Sequence, residues 1–208
     1  MKIEKIEKLN RQQEQILVHL EGGDTLRITG NELLHFGLYP GLDIDRETVV
    51  ELTRYAAASH TRARAAALIS ARPLSRAELC RRLTEKGATA EDAEAAADYL
   101  ERIGALDDAA YAAMLVRHLS AKGYGAGRIR DEFFRRGISR ELWDDALAAA
   151  PDTQERIEAI LTAKIHGKPL DDRERKRLAD MLLRRGFSRS EVYSAIRALG
   201  AQIEYEDD

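Results

Sequence analysis

The stretch best equipped for chemistry is Lys122-Gly123-Tyr124-Gly125-Ala126-Gly127-Arg128, whose glycines and flanking cations look like a loop that cradles a phosphate. A dinucleotide fingerprint needs a preceding strand, so that the pyrophosphate meets a helix N-terminus within a βαβ unit. Here the preceding residues read as helix, and no G-x-x-x-x-G-K followed by Ser or Thr occurs in the chain. The stretch therefore reads as a flexible linker between two helices, with Tyr124 held between glycines where it can make an exposed contact.

Other reactive side chains form no constellation. The five histidines, His19, His35, His60, His118 and His166, are scattered without metal-ligand spacing. The single cysteine, Cys80, excludes an internal disulfide and a multi-cysteine zinc site, and suits a reducing compartment. Asp107-Asp108 resembles a carboxylate pair, but adjacent acids at a helix start are more simply an N-cap beside a dipole-favourable charge. We expect no catalytic residue, no metal and no cofactor.

Charge is distributed unevenly. Residues 1–60 carry 7 basic and 10 acidic side chains, residues 61–201 carry 26 and 22, and the tail from Gln202 adds four acids. The mildly basic body falls short of a dedicated duplex binder. The start, Met1–Asn10, alternates charged residues with isoleucines, and no apolar run approaches the ~18 residues a membrane span needs. The expectation is a cytoplasmic protein away from membranes.

These residues must be positioned by helices, preceded by a little sheet. Ile3–Leu9, Gln15–Leu20 and Thr25–Thr29 read as an antiparallel meander, with Gly22-Gly23-Asp24 as a turn. Asn31 is the expected cap of a short helix through His35, closed by Gly37, and Tyr39-Pro40-Gly41 makes a further turn. Asp45 or Thr48 then starts a long helix, about 47–71, which Arg72-Pro73 stops.

Beyond it the chain repeats. Segments 78–100, 128–150 and 177–199 align on Gly87, Gly137 and Gly186, which lie 50 and 49 residues apart. Leu79, Ile129 and Leu178 stand eight residues before the glycines; Leu83, Phe133 and Leu182 four before; Ala97, Leu147 and Ile196 ten after. In each copy the glycine supplies a left-handed helix end. Thr89, Ser139 or Ser188 offers a hydroxyl cap to the next helix, with Thr89-x-x-Asp92, Ser188-x-x-Glu191 and Ser75-x-x-Glu78 resembling capping boxes. Trp143, the single tryptophan, is expected in the core. One more helix precedes each pair: the end of the 47–71 helix, then 108–122, then 152–166. The expected fold is all-α, three tandem three-helix repeats in an elongated curved array after a small β-rich segment. The divisions are 1–50, 51–106, 107–151, 152–201 and an acidic tail, 202–208.

A helix-turn-helix look raises sequence-specific DNA binding, in which the second helix of each pair would enter the major groove. The charges oppose it: Thr89–Gly104 holds Glu91, Asp92, Glu94, Asp98 and Glu101 against Arg102 alone, and Ser139–Ala150 holds three acids against Arg140. Cations collect instead on the helix before each turn and its lead-in. They are Arg72, Arg76, Arg81, Arg82 and Lys86; Lys122, Arg128, Arg130, Arg135 and Arg136; and Arg173, Arg175, Lys176, Arg177, Arg184 and Arg185. Those at helix C-termini complement the macrodipole, yet their repetition would make a discontinuous basic stripe.

Arg72-Pro73-Leu74-Ser75-x-x-Glu78-Leu79, Lys86-Gly87, Leu106-Asp107-Asp108-x-x-Tyr111, Lys122-Gly123-Tyr124-Gly125 and Arg136-Gly137-Ile138 resemble, in order and spacing, the signature stretches of the RecX family. The lead-in to the third repeat, Lys168-Pro169-Leu170-Asp171-Asp172, departs from that pattern. The resemblance implies a cytoplasmic, non-enzymatic protein of DNA repair, recombination and the SOS response. Such a protein would be a monomer in solution that binds the RecA nucleoprotein filament and mostly inhibits its recombinase, ATPase and coprotease activities. The candidate RecA- or DNA-binding residues are Arg72, Arg81, Arg82, Lys86, Lys122, Tyr124, Arg128, Arg130, Arg135, Arg136, Arg184 and Arg185. A DNA-binding helical adapter, acting on nucleic acid with weak direct contacts, is the alternative reading.

Overall fold

The structure, a computed structural model, describes residues 1–10, 15–165 and 170–206. It divides into two compact units, one of Met1–Arg72 with Leu79–Ala105, the other of Pro73–Glu78 with the chain from Leu106 onward.

The first unit opens with strands β1 (Ile3–Asn10), β2 (Gln15–Leu20) and β3 (Thr25–Thr29), antiparallel in the order β1-β2-β3. Strand β2 alternates as a half-buried strand should, with Ile16, Val18 and Leu20 inward. In β1 the apolar residues are three apart, which a regular strand would turn to opposite faces. A register shift between Ile3 and Lys5 corrects this, pairing Ile3 with Leu20 and Ile6 with Val18 so that both meet the same face. Leu38, Ile44, Leu52 and Ala56 complete this core.

Helix α1 (Gly30–His35) is capped by Thr29, in place of the expected Asn31. Glu32 lies three residues after Thr29 and its carboxylate accepts the Thr29 N–H at 2.5 Å, closing a capping box two residues earlier than the sequence suggested. Helix α2 (Arg46–Ala71) starts at Asp45, whose carboxylate accepts the Thr48 N–H at 2.7 Å, and ends at Arg72 ahead of Pro73. Helices α3 (Arg76–Glu85) and α4 (Ala90–Arg102) follow, and α2 packs on α4 through small residues, with Ala65, Ala93, Ala96 and Ala97 buried.

The second unit holds two more three-helix groups. Helices α5 (Asp108–Ala121) and α6 (Ala126–Arg136), a 3-10 turn (Arg140–Leu142) and α7 (Trp143–Ala148) surround Tyr111, Leu115, Ile129, Phe133 and Ile138. Helices α8 (Thr153–Ile165), α9 (Asp172–Arg184) and α10 (Arg189–Glu206) surround Ile157, Leu161, Leu178, Leu182, Phe187 and Val192. Asp171 caps α9 by accepting the Glu174 N–H at 2.7 Å. His166, the expected end of the 152–166 helix, Lys168 and Pro169 of the expected lead-in, and Asp207 and Asp208 of the acidic tail lie outside the described residues.

The aligned columns have one physical meaning in all three copies. Gly87, Gly137 and Gly186 have φ of +91°, +67° and +87°, and the N–H after each reaches back to the carbonyl of Leu83, Phe133 or Leu182 at 3.0, 3.0 and 3.3 Å. These are Schellman-type helix ends, and the residues that stand eight and four before each glycine are fully buried. The Thr89, Ser188 and Ser75 caps form as expected. Ser139 differs: the Leu142 N–H bonds its carbonyl at 3.1 Å and not its hydroxyl, so a 3-10 turn forms and α7 starts late, at Trp143. Leu147, the counterpart of buried Ala97 and Ile196, is consequently only half-buried.

Candidate interaction surface

Helix α6 has two faces. Ile129 and Phe133, one turn apart, enter the core, which forces the neighbouring Phe134 outward, where 69% of it is exposed. Around Phe134, a concavity is lined by Arg128, Arg130, Asp131 and Arg135 from α6 and by Arg140 and Trp143 beyond the turn. Arg135 pairs with Glu132. Among the described residues, Arg128, Arg130 and Arg140 have no carboxylate within ion-pair distance. Trp143 is half-buried, not fully in the core: its indole N–H donates to the Ile138 carbonyl at 3.0 Å, one edge tilts on Phe133 at 5.8 Å, and the Arg140 guanidinium lies 5.8 Å from its ring.

Arg136 turns the other way. Its Nε donates to Glu132 at 2.6 Å, and its Nη1 donates to Glu78 at 3.4 Å and to the Tyr111 hydroxyl, over whose ring the guanidinium sits at 5.7 Å. The Tyr111 hydroxyl in turn donates to Glu78 at 3.2 Å. Burial pushes the Tyr111 hydroxyl up; Arg136 opposes this and Glu78 adds to it. Burial also works on the Glu132 carboxyl, but the Arg136 hydrogen bond and charge outweigh it and hold that group below the ordinary glutamate range. The Ser75 hydroxyl donates to the Arg136 carbonyl, and Asp108 accepts the Arg76 N–H at 2.8 Å. Arg136 is thus a strut between the 73–78 segment and the α5–α6 pair.

The 122–128 stretch is also a joint, in contrast to the flexible linker expected from its glycines. Gly125 N–H donates to the Arg185 carbonyl at 2.8 Å and Gly127 N–H to the Gly186 carbonyl at 2.9 Å. A β-carbon on Gly125 would sit 2.5 Å from Gly186 C and O, so the glycines permit a backbone-on-backbone contact. Arg185 Nη1 donates to the Gly123 carbonyl at 3.4 Å, and Arg156 donates to the Tyr124 carbonyl. Tyr124 itself is half-buried.

Of the candidate residues, the α6 concavity therefore gathers Arg128, Arg130 and Arg135, while Arg136 and Arg185 lie in the joints. Arg184 and Lys122 are exposed at the ends of α9 and α5. In the first unit, Arg72 is exposed at the end of α2, Arg81 is exposed 3.9 Å from Glu85, Arg82 is half-buried, and Lys86 is exposed with its carbonyl accepting Arg64 at 2.9 Å. Sequence reasoning passed over Phe134 and Arg140, although Phe133 occupying a core column already implied that its neighbour faces out. A further concavity, between α9 and α10, is lined by Arg175, Lys176, Tyr193 and Arg197. Among the described residues no group of three or more His, Cys, Asp or Glu side chains lies where it would hold a metal, and no helix is long and apolar enough to cross a membrane.

Residues 62–100 match the family model "RecX, first three-helix domain", and residues 107–147 match "RecX, second three-helix domain". The Regulatory protein RecX of Pseudomonas entomophila (strain L48) is 37% identical over 123 residues, 58% of this chain and 79% of that protein. That of Xanthomonas citri is 36% identical over 136 residues, 64% of this chain and 84% of its own length.

The chain belongs to the RecX family.

Two solved structures have the same fold. One, described as "Crystal structure of regulatory protein RecX", superposes with a TM-score of 0.72 at 24% identity and covers 95% of this chain and 98% of its own. The other, RecX from Lactobacillus salivarius, gives 0.63 at 19%, covering 69% and 96%. The first RecX domain takes in the end of α2 with α3 and most of α4, and the second runs from the Asp107 cap of α5 into α7. The concavity around Phe134 lies wholly within the second, and α8–α10 follow both. Membership makes this chain one of a family of regulatory proteins.

Proposed function

We propose that this chain regulates RecA by binding its nucleoprotein filament as a cytoplasmic monomer, inhibiting ATP hydrolysis, strand exchange and coprotease activity without catalysing a reaction itself. The observation that carries the reading is the second RecX domain's cationic concavity, where Arg128, Arg130 and Arg140 have, among the described residues, no carboxylate within ion-pair distance. The fold adds a rationale. Three three-helix groups each offer a surface, and several modest contacts to successive protomers of a filament multiply into avidity. The joints through Arg136 and through Gly125 and Gly186 order the second unit beforehand, which lowers the entropy lost on binding.

The direct test is RecA ATPase activity on single-stranded DNA with stoichiometric added protein. Inhibition that weakens with Arg128→Glu/Arg130→Glu and with Arg81→Glu/Arg82→Glu is the expected outcome. Unchanged inhibition by both pairs would remove the basic residues from the contact. Arg135→Glu/Arg136→Glu is a poorer probe, because Arg136 is built into the fold.

A further inference from the structure

We propose that the concavity beside α6 is a binding site for single-stranded nucleic acid, with Arg128, Arg130 and Arg140 holding successive phosphates and Phe134 stacking on a base. This goes beyond the regulatory reading, which names a protein partner, and stands or falls without RecA.

Phe134 is the starting point. A phenyl ring 69% exposed between arginines gains nothing from burial in the folded chain, and its face is free to take a planar partner. Stacking rings beside a cationic track are what a single strand requires, since every base has a π-face and every linkage a negative charge. The three arginines supply that track, and the Arg140 guanidinium over Trp143 provides a second flat, charged surface.

The lining also discriminates between partners. An acidic peptide would be anchored by an apolar side chain in a desolvated socket. Here Arg128, Arg130, Asp131, Arg135 and Arg140 make five of the seven lining residues, leaving only Phe134 and Trp143 to contact such an anchor. A rigid duplex is disfavoured as well, because the exposed Glu141, Asp144 and Asp145 just past the turn add negative charge that repels a second phosphate backbone. A flexible single strand can follow the arginines while turning its phosphates away from Asp131 and from the acids past the turn.

Trp143 is the chain's single tryptophan and lines the site, so its emission reports occupancy directly. The full chain is titrated with an oligothymidylate of about 20 nucleotides and separately with the matching duplex. The expected result at about 50 mM salt is saturable quenching by the single strand, with an affinity that falls by a log–log slope near −2 as contact with about three phosphates releases their counterions. Phe134→Ala is expected to weaken binding roughly fivefold or more, Phe134→Tyr to keep it, and Arg128→Glu/Arg130→Glu to abolish it. Phe134→Ala leaves the core untouched and should keep the melting temperature, while for the charge reversal, which removes the Arg128 charge beside Glu132, a retained far-UV circular dichroism spectrum and cooperative melt separate loss of the site from loss of the fold. The proposal is overturned if no binding occurs at low salt, if Phe134→Ala binds like the parent, if the duplex binds as tightly as the single strand, or if poly-glutamate quenches Trp143 as well as the oligonucleotide does. RecA inhibition by the same variants is read separately, so failure here leaves the filament reading untouched, and the reverse.

Discussion

Gly125 and Gly186 lie in backbone contact: a β-carbon on Gly125 would stand 2.5 Å from the Gly186 carbonyl carbon, and beside it the Gly127 N–H donates to the Gly186 oxygen at 2.9 Å. Gly186 has, in addition, φ of +87° and room for no side chain against the Arg128 backbone. Gly125→Ala is expected to destabilise the second unit by about 1–3 kcal/mol through overpacking, and Gly186→Ala by more, since strain at positive φ adds to the clash. Urea unfolding followed by far-UV circular dichroism measures both. Gly87→Ala serves as the comparison, for a β-carbon there meets nothing within 4 Å and only its φ of +91° is strained.

Tyr111→Phe removes one hydroxyl from the cluster of Glu78, Tyr111 and Arg136. Glu78 and Arg136 stay buried or half-buried with one partner fewer. The expected loss is about 1–3 kcal/mol in a urea midpoint. Arg136→Ala should cost at least as much, because it leaves Glu78 and Glu132 without their shared cation. By contrast Arg135→Ala removes an exposed guanidinium and leaves the half-buried Glu132 its bond to Arg136, so it should change stability by less than about 1 kcal/mol.

Acid should loosen this cluster before the rest of the unit. Burial raises the Glu132 carboxyl, but Arg136, with Arg135 and Arg128, more than offsets it, and the net shift is downward. A carboxyl with a lower pKa folded than unfolded contributes stability above its unfolded value, about 4.5 here, and loses it as pH falls through the folded one. Melting temperature should therefore drop below about pH 4.5, and Glu132→Gln should flatten that dependence. An unaltered acid limb in Glu132→Gln would show that the pair with Arg136 carries no net stability.

The repeat was legible because helix ends and core columns are local: a glycine with a left-handed φ, an apolar residue four and another eight before it, a hydroxyl two after. What escaped was set by distant chain. The glycines of 122–128 read as flexibility because the residues that dock on them, Arg185 and Gly186, are about sixty positions away. Arg136 read as a surface cation beside Arg135, yet its partners Glu78 and Tyr111 are 58 and 25 residues distant. Thr29 and Asn31 both offer a capping side chain, and only the return bond from Glu32 decides for Thr29. Trp143, expected in the core, is half-buried because the 3-10 turn after Ser139 delays the start of its helix.

The measurement that bears most directly on the regulatory reading is RecA ATP hydrolysis on single-stranded DNA, titrated with this protein up to one per RecA protomer. Progressive inhibition that Arg128→Glu/Arg130→Glu relieves, with the variant still folded by circular dichroism, is the result expected. An ATPase rate that stays constant throughout the titration would contradict it.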